Sequence, residues 1–139
     1  LKSAEEALIL ASIVEKETGL AADRGRVAGV FVNRLRIGMP LQTDPTVIYG
    51  LGASFDGNLR KRDLVADTPF NTYTRRGLPP TPIALPRAAS LRAAVRPAQT
   101  RALYFVARSD GGGGSVFSES LADHNRAVNQ FQRGGKASP

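Results

Sequence analysis

The sequence predicts an α+β fold, rich in helix and carrying one small antiparallel β element. Three observations lead there. Two helical segments, each followed by a glycine, fill the first 38 residues. The middle of the chain is broken up by proline and glycine. A single apolar, β-prone run, 102–107, is answered after a glycine stretch by a short second one, so a hairpin is expected within 102–118.

Ser3-Ala-Glu-Glu6 fits a capping box, with Ser3 as N-cap and Glu6 reaching back. The first helix then runs to about Thr18 and Gly19 stops it. Its stretch Ala7–Val14 is apolar on every side, which reads as a buried helix, and it ends in the carboxylates Glu15 and Glu17. Asp23 is suited to cap a second helix through about Ile37, with Val27, Val30, Phe31, Val32 and Leu35 forming an apolar face and Gly38 closing it. Residues 39–46 are a polar loop. Asp44-Pro45 reads as an N-cap and N1 pair for a short helix through Tyr49, ended by Gly50 and Gly52.

Residues 53–69 look irregular, with a helical turn near Arg60–Leu64, and Phe70–Thr74 alternates enough to be a short strand. Gly77–Pro86 holds four prolines and must be an extended, rigid loop. Ser90–Val95 belongs to a helix that starts near Arg87. Ala102–Ala107 is the strongest strand, Asp110–Gly114 a flexible turn and Ser115–Ser118 the return strand. Ser118 or Ser120 caps a last helix to about Gln132. One domain over 1–133 and a disordered tail over 134–139 are expected.

Composition narrows the chemistry. The chain of 139 residues suits one domain with a real core, and it has no cysteine and one histidine, His124. Disulfides, thiol catalysis and cysteine metal sites are therefore excluded, and a His-rich metal site or a His-based triad has little to build on. The lack of cysteine fits cytoplasm and periplasm equally. The net charge of +7 is mostly arginine, spread along the chain, with Arg60-Lys61-Arg62 and Arg75-Arg76 as the densest clusters. Such a surface is compatible with acidic polymers, anionic lipid or nucleic acid. No run is long enough to cross a bilayer and no signal peptide is recognisable. The chain begins at Leu1 without Met, which reads as a fragment or a processed domain, so a missing anchor says little about location.

A carboxylate on the last turn of a buried helix meets a poorly solvated wall. Its pKa rises, and it becomes a proton donor near neutral pH. Glu15 and Glu17, two residues apart, face different sides of the helix. Larger apolar neighbours, Leu10, Ile13 and Val14, flank Glu17 and favour it slightly. Thr18 offers a hydroxyl to orient it or to meet a substrate. Gln42, Thr43 and Asp44 form one polar set suited to sugar hydroxyls and amides. Asn71, Thr72 and Tyr73 form a second, with an aromatic platform. The residues alone leave open that the glutamates merely solvate a fraying helix end and that Asp44 merely caps a helix. His124 reads as a structural hydrogen-bonding residue. Gly111–Gly114 is no phosphate loop, because it lacks the Gly-Lys-Ser/Thr ending.

Seven segments together resemble a known family. They are Ala11–Thr18 (ASIVEKET), Val30–Leu35 (VFVNRL), Leu41–Gly50 (LQTDPTVIYG), Phe70–Thr74 (FNTYT), Gly77–Ile83 (GLPPTPI), Leu103–Val106 (LYFV) and His124-Asn125. In this order, over nearly the whole chain, they resemble the catalytic domain of the endolytic murein transglycosylases, the YceG-like family. The resemblance implies a bacterial lyase with a distantly lysozyme-like site that cleaves the β-1,4 bond between N-acetylmuramic acid and N-acetylglucosamine in nascent peptidoglycan. It implies Glu17 as the single catalytic residue, acid then base, and 1,6-anhydro product ends. Thr18, Gln42, Thr43, Asp44, Tyr49, Asn71 and Tyr73 are the residues expected to bind substrate, and neither a metal nor an organic cofactor is expected.

Family members usually carry an N-terminal membrane anchor and a small LysM-like region. The resemblance therefore implies attachment to the inner membrane, a catalytic domain on the periplasmic side, and peptidoglycan synthases as partners of the full-length protein. Glycan strands are the expected partner, and nucleic acid is not. The basic surface suits a substrate with lactyl-peptide carboxylates. Two rivals remain: a two-carboxylate hydrolase of the same polymer using Asp44, and a non-catalytic glycan-binding module. A basic nucleic-acid-binding domain has the charge but no recognisable signature. Pyridoxal phosphate chemistry is set aside, because it needs a Schiff-base lysine in a much larger fold, and this chain has only four lysines.

Overall fold

The structure is a computed structural model and describes residues 1–109 and 112–131. Among the described residues, six α-helices and one two-stranded antiparallel sheet make up an α+β fold: α1 (Ala4–Glu17), α2 (Arg24–Ile37), α3 (Asp44–Leu51), α4 (Lys61–Val65), α5 (Ala88–Val95), β1 (Tyr104–Ala107), β2 (Ser115–Ser118) and α6 (Leu121–Phe131). The strands pair with Tyr104 opposite Ser118 and Ala107 opposite Ser115. The expected tail at 134–139, the end of the last helix at Gln132 and the tip residues Asp110 and Gly111 lie outside the described residues.

α1 is central because its sequence leaves it no polar face. Leu10, Ala11, Ile13 and Val14 are fully buried and join Val27, Ala28 and Phe31 of α2, Ala93 and Ala94 of α5, and the loop residues Leu41 and Ile83 in one core. Phe31 meets Phe105 of β1 edge-on at 5.8 Å, and Phe105 stacks on Phe117 of β2 at 5.8 Å. The hairpin is thereby fixed to α2, and α6 packs on its other side. Ser12, buried within α1, accepts a hydrogen bond from the Ile83 amide at 3.0 Å. That bond pins the proline-rich loop against the helix.

The helix ends differ from expectation in instructive ways. Ser3 caps α1 by accepting from the Glu6 amide at 3.1 Å, but the Glu6 carboxylate reaches the Lys2 amide instead of closing the box. Thr18, not Gly19, stops α1: it turns extended, and both its amide and its hydroxyl donate to the Val14 carbonyl. Gly19 serves a different purpose. A Cβ there would stand 2.8 Å from the Gly113 carbonyl oxygen, so glycine lets the hairpin tip rest on this turn. Asp23 is buried and makes no cap bond with α2. Its carboxylate accepts from Arg26 at 2.6 Å and from the Ser115 amide at 2.8 Å, tying β2 to the start of α2. Asp44 is likewise no cap. It is the first residue of α3, and its side chain is bonded elsewhere. β1 starts at Tyr104 rather than Ala102, and Gly38 closes α2 in the left-handed region.

Phe70–Thr74 is a turn, not a strand. Asn71 overrides the apparent alternation. Its side-chain oxygen accepts from the Tyr73 amide at 2.8 Å, and its side-chain nitrogen donates to the carbonyls of Leu64 and Ala66 at 3.0 and 2.7 Å. An asparagine that bonds its own downstream backbone builds a turn in place of a ladder.

Gly29 marks the closest approach in the core. A Cβ there would lie 2.8 Å from the Ala98 carbonyl oxygen and 2.7 Å from Thr100 Cγ2. The backbone oxygen cannot move cheaply, because Asn33 of α2 holds the neighbouring Thr100 and Ala102 carbonyls at 2.8 and 2.9 Å. Gly29→Ala is therefore expected to destabilise the fold by about 1–3 kcal/mol despite the better helix propensity of alanine. A lower urea midpoint at unchanged slope would display it.

Candidate active site

α1 delivers two glutamates into opposite situations. Glu15 faces the start of α5. There its carboxylate accepts from the Arg87 amide at 3.0 Å, the Arg87 guanidinium at 2.9 Å and the Ser90 hydroxyl at 2.8 Å. These donors, the Arg87 amide foremost, hold its pKa down to about 2. Glu15 is a structural anion. Glu17 points the other way, into a cleft of about 400 Å³ between the 41–44 loop, Tyr73, β1 and α6. Burial there raises its pKa to about 6, and the charge of Asp44 adds to the rise. The Thr43 hydroxyl bond and the charge of Arg34 oppose it.

The donor to Glu17 is held firmly. Thr43 Oγ1 donates to Glu17 Oε1 at 3.1 Å. Behind it, a buried set of hydroxyls fixes the Thr43 backbone: its amide donates to Thr72 Oγ1 at 3.0 Å, and its carbonyl accepts from Thr46 Oγ1 at 2.8 Å. Gln42, just before it, lines the cleft with φ at +52°, unusual for a side-chain-bearing residue. Backbone in this region persists only where surroundings over-determine it. Here the Gln42 amide is bonded to the Thr72 carbonyl and the preceding Leu41 carbonyl is held by Arg34. Tyr73, also in the lining, donates its hydroxyl to Asp44 at 2.5 Å. Burial first, and then Asp44, keep its phenol protonated far above the usual range.

Of the residues expected to bind substrate, Gln42 and Tyr73 line the cleft with Glu17, and Thr43 and Asp44 touch these lining side chains. Thr18, Tyr49 and Asn71 are not in the lining. Thr18 is occupied by the Val14 carbonyl, and Tyr49 packs on Phe70 at 5.0 Å with its face half exposed. Asn71 is fully buried and consumed by its own turn. A larger groove, about 740 Å³, lies along the first residues of the chain, α2 and Gly77–Pro79, away from Glu17.

Sequence reasoning missed one wall of the cleft. Arg34 of α2 is 7% exposed and donates Nε to the Leu103 carbonyl at 2.7 Å and Nη1 to the Leu41 carbonyl at 2.5 Å. It thereby ties the Thr43 loop to the start of β1. Its guanidinium lies 5.5 Å from the Tyr104 ring, and His124 of α6 stacks on the same ring at 5.0 Å. Burial lowers the His124 pKa, as does Arg34. A signal for Arg34 existed: it falls on the helical stripe of Val27 and Phe31, and a charge on a buried face needs a reason. Among the described residues, no group of three or more His, Cys, Asp or Glu side chains stands together as a metal site.

The profile of the YceG-like family matches residues 1–130. The chain is 46% identical over 129 residues to the endolytic murein transglycosylase of Bacillus subtilis strain 168, covering 93% of this chain and 35% of that protein. It is 36% identical over 128 residues to the endolytic murein transglycosylase of Streptococcus pneumoniae strain D39, covering 88% and 23%. A crystal structure of a yceG-like protein, lmo1499, from Listeria monocytogenes superposes with a TM-score of 0.82 at 42% identity, over 90% of this chain and 40% of that one. The chain thus spans about a third of the Bacillus relative and under a quarter of the pneumococcal one.

Proposed function

The chain belongs to the YceG-like family, and from that premise we propose that residues 1–133 are the catalytic domain of a peptidoglycan lytic transglycosylase, with Glu17 as its acid and base. One observation carries the reading: a carboxyl held protonated to about pH 6, in a cleft, at the end of a buried helix.

In the proposed reaction Glu17 donates its proton to the glycosidic oxygen between N-acetylmuramic acid and N-acetylglucosamine. The C1–O bond breaks, the alcohol leaves, and C1 becomes oxocarbenium-like. Glu17, now a carboxylate, takes the proton of the C6 hydroxyl of the same sugar, and O6 bonds to C1. The new end is a 1,6-anhydro ring, no water is consumed, and Glu17 is protonated again. Tethering places O6 near C1 at high effective concentration, so no second carboxylate, metal or organic cofactor is required. Thr43 orients the carboxyl, and Gln42 and Tyr73 offer polar contacts to the sugars. Tyr73 already occupies Asp44, which disfavours Asp44 as a nucleophile.

On this reading the domain acts outside the cytoplasmic membrane, held by an anchor elsewhere in a longer protein and beside the synthases that make its substrate. Among the described residues, no helix is long and apolar enough to cross a membrane.

Digestion of peptidoglycan in ¹⁸O-labelled water tests the chemistry. Mass spectrometry is expected to find unlabelled ends, lighter than a reducing end by one water. Labelled reducing ends as the main product would replace the reading with a two-carboxylate hydrolase. Binding without any cleavage would replace it with a glycan-binding module.

A further inference from the structure

Arg34 is a buried cation with no ion-pair partner among the described residues. Its two hydrogen-bond acceptors are the neutral carbonyls of Leu41 and Leu103. Among the described residues, no carboxylate forms an ion pair with it. The acid closest to it in the cleft, Glu17, is held largely neutral in mildly acid solution, so it offers little compensation there. Burying a charge is costly unless an opposite charge meets it. Arg34 is nevertheless at the cleft surface, steadied by the two carbonyls and by the Tyr104 face, with His124 stacked behind. The guanidinium is pre-aimed, and its remaining N–H groups have no partner among the described residues.

We propose that Arg34 is the subsite for a carboxylate carried by the substrate, a single acidic substituent on the glycan beside the bond to be cleaved. This rests on the reading above and narrows its substrate class. A guanidinium matches a carboxylate in shape as well as charge. Among the described residues it is also the only cation in the lining, and His124 beside it has a depressed pKa and a buried Nδ1 with no partner there. One positive charge balances a monoanion. A phosphate dianion would be left half-neutralised.

The test uses the Glu17→Gln chain, so that binding is measured without turnover. Two soluble glycan oligosaccharides are titrated by calorimetry. One carries free lactyl carboxylates; in the other the same carboxyls are primary amides. The amide is expected to bind roughly 10- to 100-fold more weakly, the scale of one charge-assisted hydrogen bond in a partly buried site. Arg34→Gln should erase that difference, while Arg34→Lys should keep part of it. Because Arg34 also braces two loops, its variants can lose the fold, but the comparison of the two glycans does not depend on them. Equal affinity for both glycans overturns the inference and leaves the proposed function standing. If the unsubstituted chain neither binds nor cleaves either glycan, both fall together.

Discussion

Glu17→Gln is expected to lower kcat on glycan strands by roughly 10²–10⁴-fold, the usual scale for losing a general acid, with little change in KM. Glutamine keeps the shape and can still accept from Thr43 Oγ1, as Glu17 Oε1 does at 3.1 Å. What it cannot do is give up a proton. The same substitution should raise stability at pH 7. Glu17 has a folded-state pKa of about 6 against an ordinary value of 4.5, so the folded state holds the proton more tightly than the unfolded one. Its contribution is complete below pH 4.5 and is lost as pH rises through about 6, a loss of at most about 2 kcal/mol. Glutamine never ionises and escapes that loss. Denaturant titrations of both proteins at pH 4 and pH 7 measure it. Glu15→Gln is the control: it should weaken the fold through Arg87 and Ser90 while sparing chemistry. Full activity in Glu17→Gln together with its loss in Glu15→Gln would put the acid on the wrong helix face.

The second large effect is on pH. If the protonated form of Glu17 starts the reaction as proposed, kcat/KM should fall on an alkaline limb with an apparent pKa near 6. Each pH unit above that costs about tenfold, so pH 8 should run roughly 100-fold below the plateau. The neighbours should move the limb in opposite directions. Asp44 raises the Glu17 pKa by its charge, so Asp44→Asn should shift the limb toward acid. The Thr43 hydroxyl lowers it, so Thr43→Val should shift the limb toward base. A limb unmoved by both changes, or one in the ordinary carboxylate range, would mean that Glu17 is not the titrating acid.

Much of the frame was legible because it rests on local physics. An apolar run without a polar face had to be a buried helix, and its carboxylates had to emerge at its end. Gly38 after a periodic segment, the proline-rich loop and the β-prone runs before and after the glycines each reported local structure directly. The errors arose where one side chain outweighed a pattern. Phe70–Thr74 alternates like a strand, yet Asn71 has enough hydrogen-bonding groups to fold the segment onto itself.

By itself, then, the sequence determined the α+β order of elements, the burial of α1 and the short list of two carboxylates at its end, since these follow from neighbours a few residues apart. Only the tertiary structure sets the two in different surroundings. Glu15 is held as an anion by Arg87 and Ser90, more than 70 residues further along the chain, and the Glu17 pKa is raised by burial in a cleft closed from the 41–44 loop, β1 and α6. A pKa is set by desolvation and by charges within a few ångströms. Periodicity reports which face of a helix is buried, not what will be brought against it. The same holds for Arg34, Tyr104 and His124, three residues from three segments that become one wall only when α2, β1 and α6 meet.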